Sequence, residues 1–324
     1  MLKIGNTVID SHLMLAPLAG VSDLPFRLIS RKYGCKFAFT EMISTRAMYY
    51  KNKNTLKMLE SSRDDKPLGV QILGDEPAIL KDSLKILKGF QFDVLDFNAA
   101  CPVGKVSSRN KGAGLLKNPD KLIEQLSVVI ENTDVPVTLK IRSGWDEGSV
   151  NAVHIATQAE RAGAKAVFLH GRTKVQGYAG KVDYTIIKEV KKAVRIPVIA
   201  SGDNVSPQMI KKMFDETGCD AVTIARGALG NPWIFGATEK YLGKGLLPPP
   251  PTAAEITDTM KEHLSLLKDF YGEKKSVAVF RKFFAWYSRN FKKAKILREK
   301  ASKAANTEDM LNAVEELKTK EYLP

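Results

Sequence analysis

In the stretch FNAACPVGKV, residues 97–106, a cysteine stands between small residues and a proline just after an apolar run. A thiol with an ordinary pKa of about 8.5 is mostly protonated at neutral pH, so Cys101 in such a turn can donate a proton without special tuning. Further polar or backbone-shaping groups close the other apolar runs: Pro17, Glu41, Gln71, Asn98, Lys140, His170, the turn Ser201-Gly202-Asp203, and Ala225-Arg226. An amide, a lysine, a histidine and two small-residue turns suit a flat heteroaromatic ring with a phosphate tail. Main-chain N–H groups in SGDN and ARGALGN can bind phosphate, with Arg226 adding charge. Taken alone, Cys101 fits a small buried hydrophobe better than a reactive thiol, and His170 fits a satisfied core histidine better than a ligand contact. No His/Cys/Asp cluster has metal-ligand spacing, so no metal is expected.

These groups need a scaffold that brings many strand ends to one face. Short β-rich runs at 13–16, 37–42, 68–73, 93–98, 136–141, 166–170, 196–201 and 220–225 alternate with amphipathic stretches such as PDKLIEQLSVVIENT. Strand alternating with helix implies a parallel sheet, and eight units over roughly 240 residues fit a closed (β/α)₈ TIM barrel. A doubly wound sheet is the alternative, but APLAGVSD after the first run lacks the GxGxxG spacing. The run LLPPPPT, residues 246–252, cannot continue a helix and marks a boundary. The expected organisation is a barrel over 1–245, a proline-rich linker over 246–252 and a small all-helical domain over 253–324.

Composition narrows the setting. Lys and Arg total 50 against 36 Asp and Glu, a formal charge of +14, which fits equally a lysine-rich soluble surface or an anionic macromolecular partner, most often nucleic acid. Three cysteines cannot make a disulfide framework. No stretch reaches the ~20 apolar residues of a membrane span, and the N-terminal residues lack a signal-peptide pattern. A cytoplasmic protein with no membrane partner is expected.

The motifs APLAGVSDLPFR, EMIS, VQILG, NAACPVGKV, LKIRSGW, HGRTKVQGYAGKVDY, PVIASGD and IARGALGNPWIF occur in this order over about residues 10–245. Together they resemble the tRNA-dihydrouridine synthase family, in particular its bacterial B-type members. The resemblance implies a flavin-binding barrel with a C-terminal helical domain; a monomer is expected. It implies reduction of particular tRNA uridines to 5,6-dihydrouridine by NADPH through FMN. By motif, Cys101 matches the family's general acid, and Pro17, Leu18 and Ala19 would lie along the flavin. Gln71, Lys140 and His170 would surround its ring, and Ser201, Gly202, Asp203, Ala225 and Arg226 its ribityl chain and phosphate. Asn98, Lys105 and Arg172 would contact substrate. Four positions depart from the usual pattern: Ala100, Ser201 and Ala225 replace the family's common residues, and Phe283 replaces the histidine of its R-K-H-x-x-W-Y motif.

Residues 274–303 hold eleven Lys or Arg and one acidic residue, Glu299. At about 100° per residue, Phe280, Phe283, Phe284, Tyr287 and Phe291 share one helical face and are expected in the core. Arg281, Lys282, Arg289 and Lys293 project from another and are expected to meet RNA phosphates. Two other readings share some of these residues. One is an FMN barrel acting on a free pyrimidine, as dihydroorotate dehydrogenases do; the other is a non-catalytic RNA-binding protein. The basic helical segment argues against the first and the full set of strand-end groups against the second.

Overall fold

Alternation along each strand sorts its side chains into two cores. The computed structural model describes residues 1–322. Eight parallel strands close into a barrel: β3 (Leu13–Leu15), β4 (Phe37–Ser44), β5 (Leu68–Leu73), β6 (Val94–Ala99), β7 (Val137–Arg142), β8 (Ala166–His170), β9 (Val198–Ser201) and β10 (Ala221–Ile224). They pair in chain order, and β10 returns to β3. The expected (β/α)₈ barrel is therefore present, with each of the eight runs forming a strand.

Leu13, Leu15, Val70, Ile72, Leu95, Phe97, Leu139 and Ile141 point outward into the layer shared with the surrounding helices. Met14, Phe37, Phe39, Val94, Phe168, Ile199 and Ala221 point inward and fill the barrel's lower interior. Because side chains alternate with period two, the inward series continues upward as Gln71 on β5, Asp96 and Asn98 on β6, Lys140 and Arg142 on β7, His170 on β8 and Ser201 on β9. Phe39 packs closely enough that a Cβ on Gly69 would lie 2.3 Å from its ring. Glycine is required there by the approach of an aromatic side chain.

A hairpin of β1 (Leu2–Ile4) and β2 (Thr7–Ile9) precedes the barrel. Its Leu2, Ile4 and Ile9 join the inward cluster and cap the N-terminal end of the barrel. Neither strand carries the unbroken apolar run that marks the equally short β3, so the hairpin is not visible in the sequence. On β4 the register shifts between Phe39 and Met42, so Met42 pairs with Gln71 and lines the cavity at the barrel mouth. This irregularity leaves Glu41 free to turn towards the loop after β3.

After the helix Ile234–Lys244 the chain runs extended through the prolines, and Thr252 starts the next helix with a capping box to Glu255. Four helices follow: Ala253–Tyr271, Glu273–Tyr287, Lys295–Lys303 and Thr307–Lys318. Phe280, Phe283, Phe284, Tyr287 and Phe291 are all buried, as expected of that stripe. The stripe is not one helix, however. The helix ends at Tyr287, a 3₁₀ turn spans Ser288–Asn290, and Phe291 lies beyond it.

Phe283 sits with ring centroids 5.5 Å from Phe26 of the barrel helix Leu24–Lys32 and 4.4 Å from His263. Both phenylalanines are wholly buried. An apolar ring at position 283 thus seals the junction between barrel and C-terminal helices. Phe283→Ala should lower unfolding stability by about 3–5 kcal/mol, measured by urea denaturation. A loss below about 1 kcal/mol would mean that the junction closes without it.

Candidate active site

The inward polar series surrounds a cavity of about 270 Å³ at the C-terminal ends of the strands. Its lining includes Pro17, Leu18 and Ala19 on one wall, Gln71, Asn98 and Cys101 on another, and Lys140, Arg142 and His170 beyond them. Ser201, Gly202, Asp203, Ala225 and Arg226 close the far end. All eleven residues expected around a cofactor, and Cys101, therefore share one cavity.

A hydrogen-bond chain orders its floor. The buried Asp96 carboxylate accepts from Gln71 Nε2 and from Thr138 Oγ1, each at 2.7 Å. Asn98 Nδ2 donates to Gln71 Oε1 at 2.8 Å. Asn98 Oδ1 in turn accepts from the main-chain N–H groups of Ala100 (3.0 Å) and Cys101 (2.9 Å). A carboxylate only accepts when ionised, so Asp96 fixes which way the Gln71 amide faces, and Gln71 fixes Asn98. Asn98, expected to touch substrate, holds the Cys101 turn and keeps one amide N–H for the cavity. Asp96 escaped attention in the sequence because it sits inside an apolar run; its signal was a carboxylate two residues before Asn98, in phase with it.

Arg142 braces the same turn from the other side. Its Nε donates to Ala100 O at 2.9 Å, and its Nη1 to Thr173 O at 3.0 Å and Gly177 O at 2.8 Å. The exposed Tyr178 ring lies 5.5 Å from the Arg142 guanidinium and 5.4 Å from that of Arg226, over the cavity mouth. Neither residue was singled out from sequence.

Burial dominates the electrostatics. It pushes the Cys101 thiol up, against the Val103 main-chain hydrogen bond and the positive charge of Arg142. The proton therefore stays on sulfur at neutral pH. Burial lowers Lys140 to about 8, although Asp96 opposes the shift. Burial, followed by the charges of Arg142 and Lys140, holds His170 far below its usual range, so its ring is neutral. Lys140 Nζ and His170 Nε2 are both buried without a hydrogen-bond partner among the described residues.

At the far end, Asp203 adopts φ +53 and accepts from Arg172 (3.1 and 2.5 Å) and from Arg226 (2.6 Å). Arg172, expected to contact substrate, is buried and also donates to Ala179 O and Gly180 O. It braces the turn after β9, because an inward guanidinium with these partners has no edge turned to an incoming polymer. The main-chain N–H groups of Gly202, Asp203 and Asn204 donate to no group among the described residues.

The expected basic stripe is dispersed. Lys105 and Lys293 are exposed. Arg281 Nη2 donates to Ala304 O at 3.0 Å, and Arg289 Nε to Trp286 O at 3.0 Å. Lys282 turns inward and donates to Gly20 O, away from the expected phosphate face. Arg281 and Arg289 nevertheless remain exposed, so Lys282 is the residue that leaves the face read from the sequence. Among the described residues no group of His, Cys, Asp and Glu could hold a metal ion, and no helix is long and apolar enough to cross a membrane.

A closed parallel barrel with a polar cavity at the C-terminal ends of its strands has the arrangement of a barrel enzyme. The chain matches the dihydrouridine synthase family description over residues 14–322 and belongs to that family. It is 38% identical over 310 residues to tRNA-dihydrouridine synthase B of Xanthomonas campestris, covering 96% of this chain and 93% of that protein. It is 39% identical over 293 residues to the Vibrio vulnificus protein of the same name, covering 90% and 91%. Among solved structures, histamine dehydrogenase from Rhizobium sp. 4-9 shares the fold at TM-score 0.59 and 12% identity, over 82% of this chain and 50% of that one. Morphinone reductase shares it at TM-score 0.53 and 12% identity, over 77% and 91%.

Asp96 also predicts a pH dependence. Burial raises its pKa from 3.8 to about 7, with the Thr138 and Gln71 hydrogen bonds opposing. Between those values the folded chain binds more protons than the unfolded one, so this contribution to stability falls as pH rises. From about pH 5 to about pH 7, wild type should lose about 2–3 kcal/mol relative to Asp96→Asn in urea unfolding. Parallel pH profiles would show that Asp96 titrates normally in the fold.

Proposed function

We propose that the protein reduces the C5=C6 bond of uridines in tRNA to 5,6-dihydrouridine, with FMN as resident cofactor and NADPH as reductant. The observation that carries this reading is the pair of unpartnered buried atoms, Lys140 Nζ and His170 Nε2, in the cavity that Cys101 lines. Buried polar groups are normally satisfied, so these two imply a polar ligand.

A flavin fits that demand. Gln71 has one amide N–H left after bonding Asp96, and Lys140 supplies a cation for a ring that takes up negative charge on reduction. Gly202, Asp203, Asn204 and Arg226 would hold the phosphate. When bound, FMN supplies the hydride that adds at C6 of the uracil ring.

The chain's own residues supply the proton for C5. His170 is neutral and Lys140 lies on the cavity floor, whereas Cys101 stands at the partly exposed mouth where a base of a polymer must enter. Cys101 Sγ gives its proton to C5, the adjacent Arg142 charge favours the thiolate left behind, and solvent restores the proton. Asn98 and Arg142 keep the turn fixed while this happens. The barrel, residues 1–245, carries the chemistry. The C-terminal segment, residues 253–324, joined through 246–252, carries the RNA surface, with Arg281, Arg289 and Lys293 there and Lys105 on the barrel rim as phosphate contacts.

Cys101→Ala should bind FMN and accept hydride from NADPH at wild-type rates, because neither step needs an acid at C5. Flavin reoxidation by tRNA should slow by about 10²–10⁴. Rapid-mixing absorbance separates the two half-reactions, and unchanged reoxidation by tRNA would remove Cys101 from the mechanism.

A further inference from the structure

The turn after β3 forms one wall of the cavity through Ala16, Pro17, Leu18 and Ala19. It is closed by Leu18 O, which accepts from Val21 N at 2.9 Å and Ser22 N at 3.0 Å. Ser22 Oγ accepts from Leu18 N at 2.9 Å. At its tip Gly20 has φ +72, a conformation that favours glycine.

The Gly20 residue is held from both sides. Its N–H donates to Glu41 Oε2, which the β4 irregularity turns towards it. Its carbonyl accepts from Lys282 Nζ, contributed by the helix Glu273–Tyr287 of the C-terminal segment. Lys282 also lies 5.0 Å from the Phe283 ring centroid, so its stem runs along the sealed junction. Asp23 and Glu41 are the carboxylates whose charge favours its protonated form, and burial opposes it. Asp23 is itself fixed as the cap of the helix Leu24–Lys32.

We infer that Lys282 is a positioning residue for the cofactor, holding the Pro17–Ala19 wall from the helical segment instead of contacting RNA. The inference rests on the flavin reading above. The physical case is that an ammonium bonded to a main-chain carbonyl and compensated by two nearby carboxylates offers a phosphate little net attraction. The same bond fixes a turn whose other side-chain restraint at Gly20, among the described residues, is Glu41. The helical segment would then complete the flavin site as well as face the substrate, and loss of one remote charge would loosen the wall along the ring.

The test uses the full chain. Lys282→Met keeps the stem and removes the charge; Lys282→Arg keeps a cation. FMN affinity is measured by fluorescence titration of deflavinated protein, and tRNA affinity across a salt series. Lys282→Met should weaken FMN binding by about tenfold or more, the scale of one lost charge-assisted hydrogen bond. Its log–log salt slope for tRNA should match wild type, and Lys282→Arg should recover most of the flavin affinity. Wild-type FMN affinity in Lys282→Met, or a salt slope shallower by roughly 0.7–0.9, would overturn the inference in favour of an RNA contact. Equal loss in both variants would overturn the role of the charge. Should Lys282→Met fail to fold by circular dichroism, the comparison of Lys282→Arg with wild type decides: a tenfold weaker FMN affinity there would overturn it. Wild type that takes up no FMN would sink the flavin reading itself, a result distinct from any effect of the substitutions.

Discussion

The orientation of two side-chain amides governs the mouth of this barrel, and one buried carboxylate sets both. Asp96 takes one hydrogen from Gln71 Nε2, which leaves Gln71 Oε1 to accept from Asn98, which leaves Asn98 Oδ1 to hold the N–H groups of Ala100 and Cys101. Reversing either amide would set like poles against each other at every link. The position of the Cys101 turn thus traces back to a buried carboxyl group earlier on the same strand, β6. Lys140, paired with Asn98 across the β6–β7 ladder, completes the floor at the same level.

Around this floor the fold solves a second problem, which is to make the cavity open at one end. The β1–β2 hairpin and the inward aromatic layer of Phe37, Phe39 and Phe168 fill the lower barrel. Polar groups can then remain unpartnered higher up without admitting water from below. The C-terminal helices close the side of the site through Phe26–Phe283 stacking and the Lys282–Gly20 bond. The helical segment and the barrel share one apolar cluster, so the proline-rich stretch separates two parts of the chain but not two independent cores.

Most of the scaffold was legible because alternation and run length are local signals. The eight barrel strands appeared as eight runs, with ends displaced by two residues at most. The cavity-lining residues were legible as strand ends with unusual chemistry, strengthened by long motifs. For the two cations that escaped, the deciding partner lies far away in sequence. Arg172 and Lys282 looked like free cations, yet one meets Asp203 and the other Gly20, 262 residues distant. Asn98 looked like a substrate contact, and its partners across one strand and one turn make it a brace. Periodicity ran on past Tyr287 because a 3₁₀ turn preserves the spacing of aromatics long enough to resemble one helix.

The central claim is that this chain makes dihydrouridine in tRNA and that Cys101 delivers the proton. Mapping dihydrouridine position by position in tRNA from cells lacking the protein tests it most directly. The account predicts that one or more positions lose the modification, that the wild-type chain restores it, and that Cys101→Ala, expressed at the same level, does not. Dihydrouridine unchanged at every position in the deleted strain, or fully restored by Cys101→Ala, would contradict it.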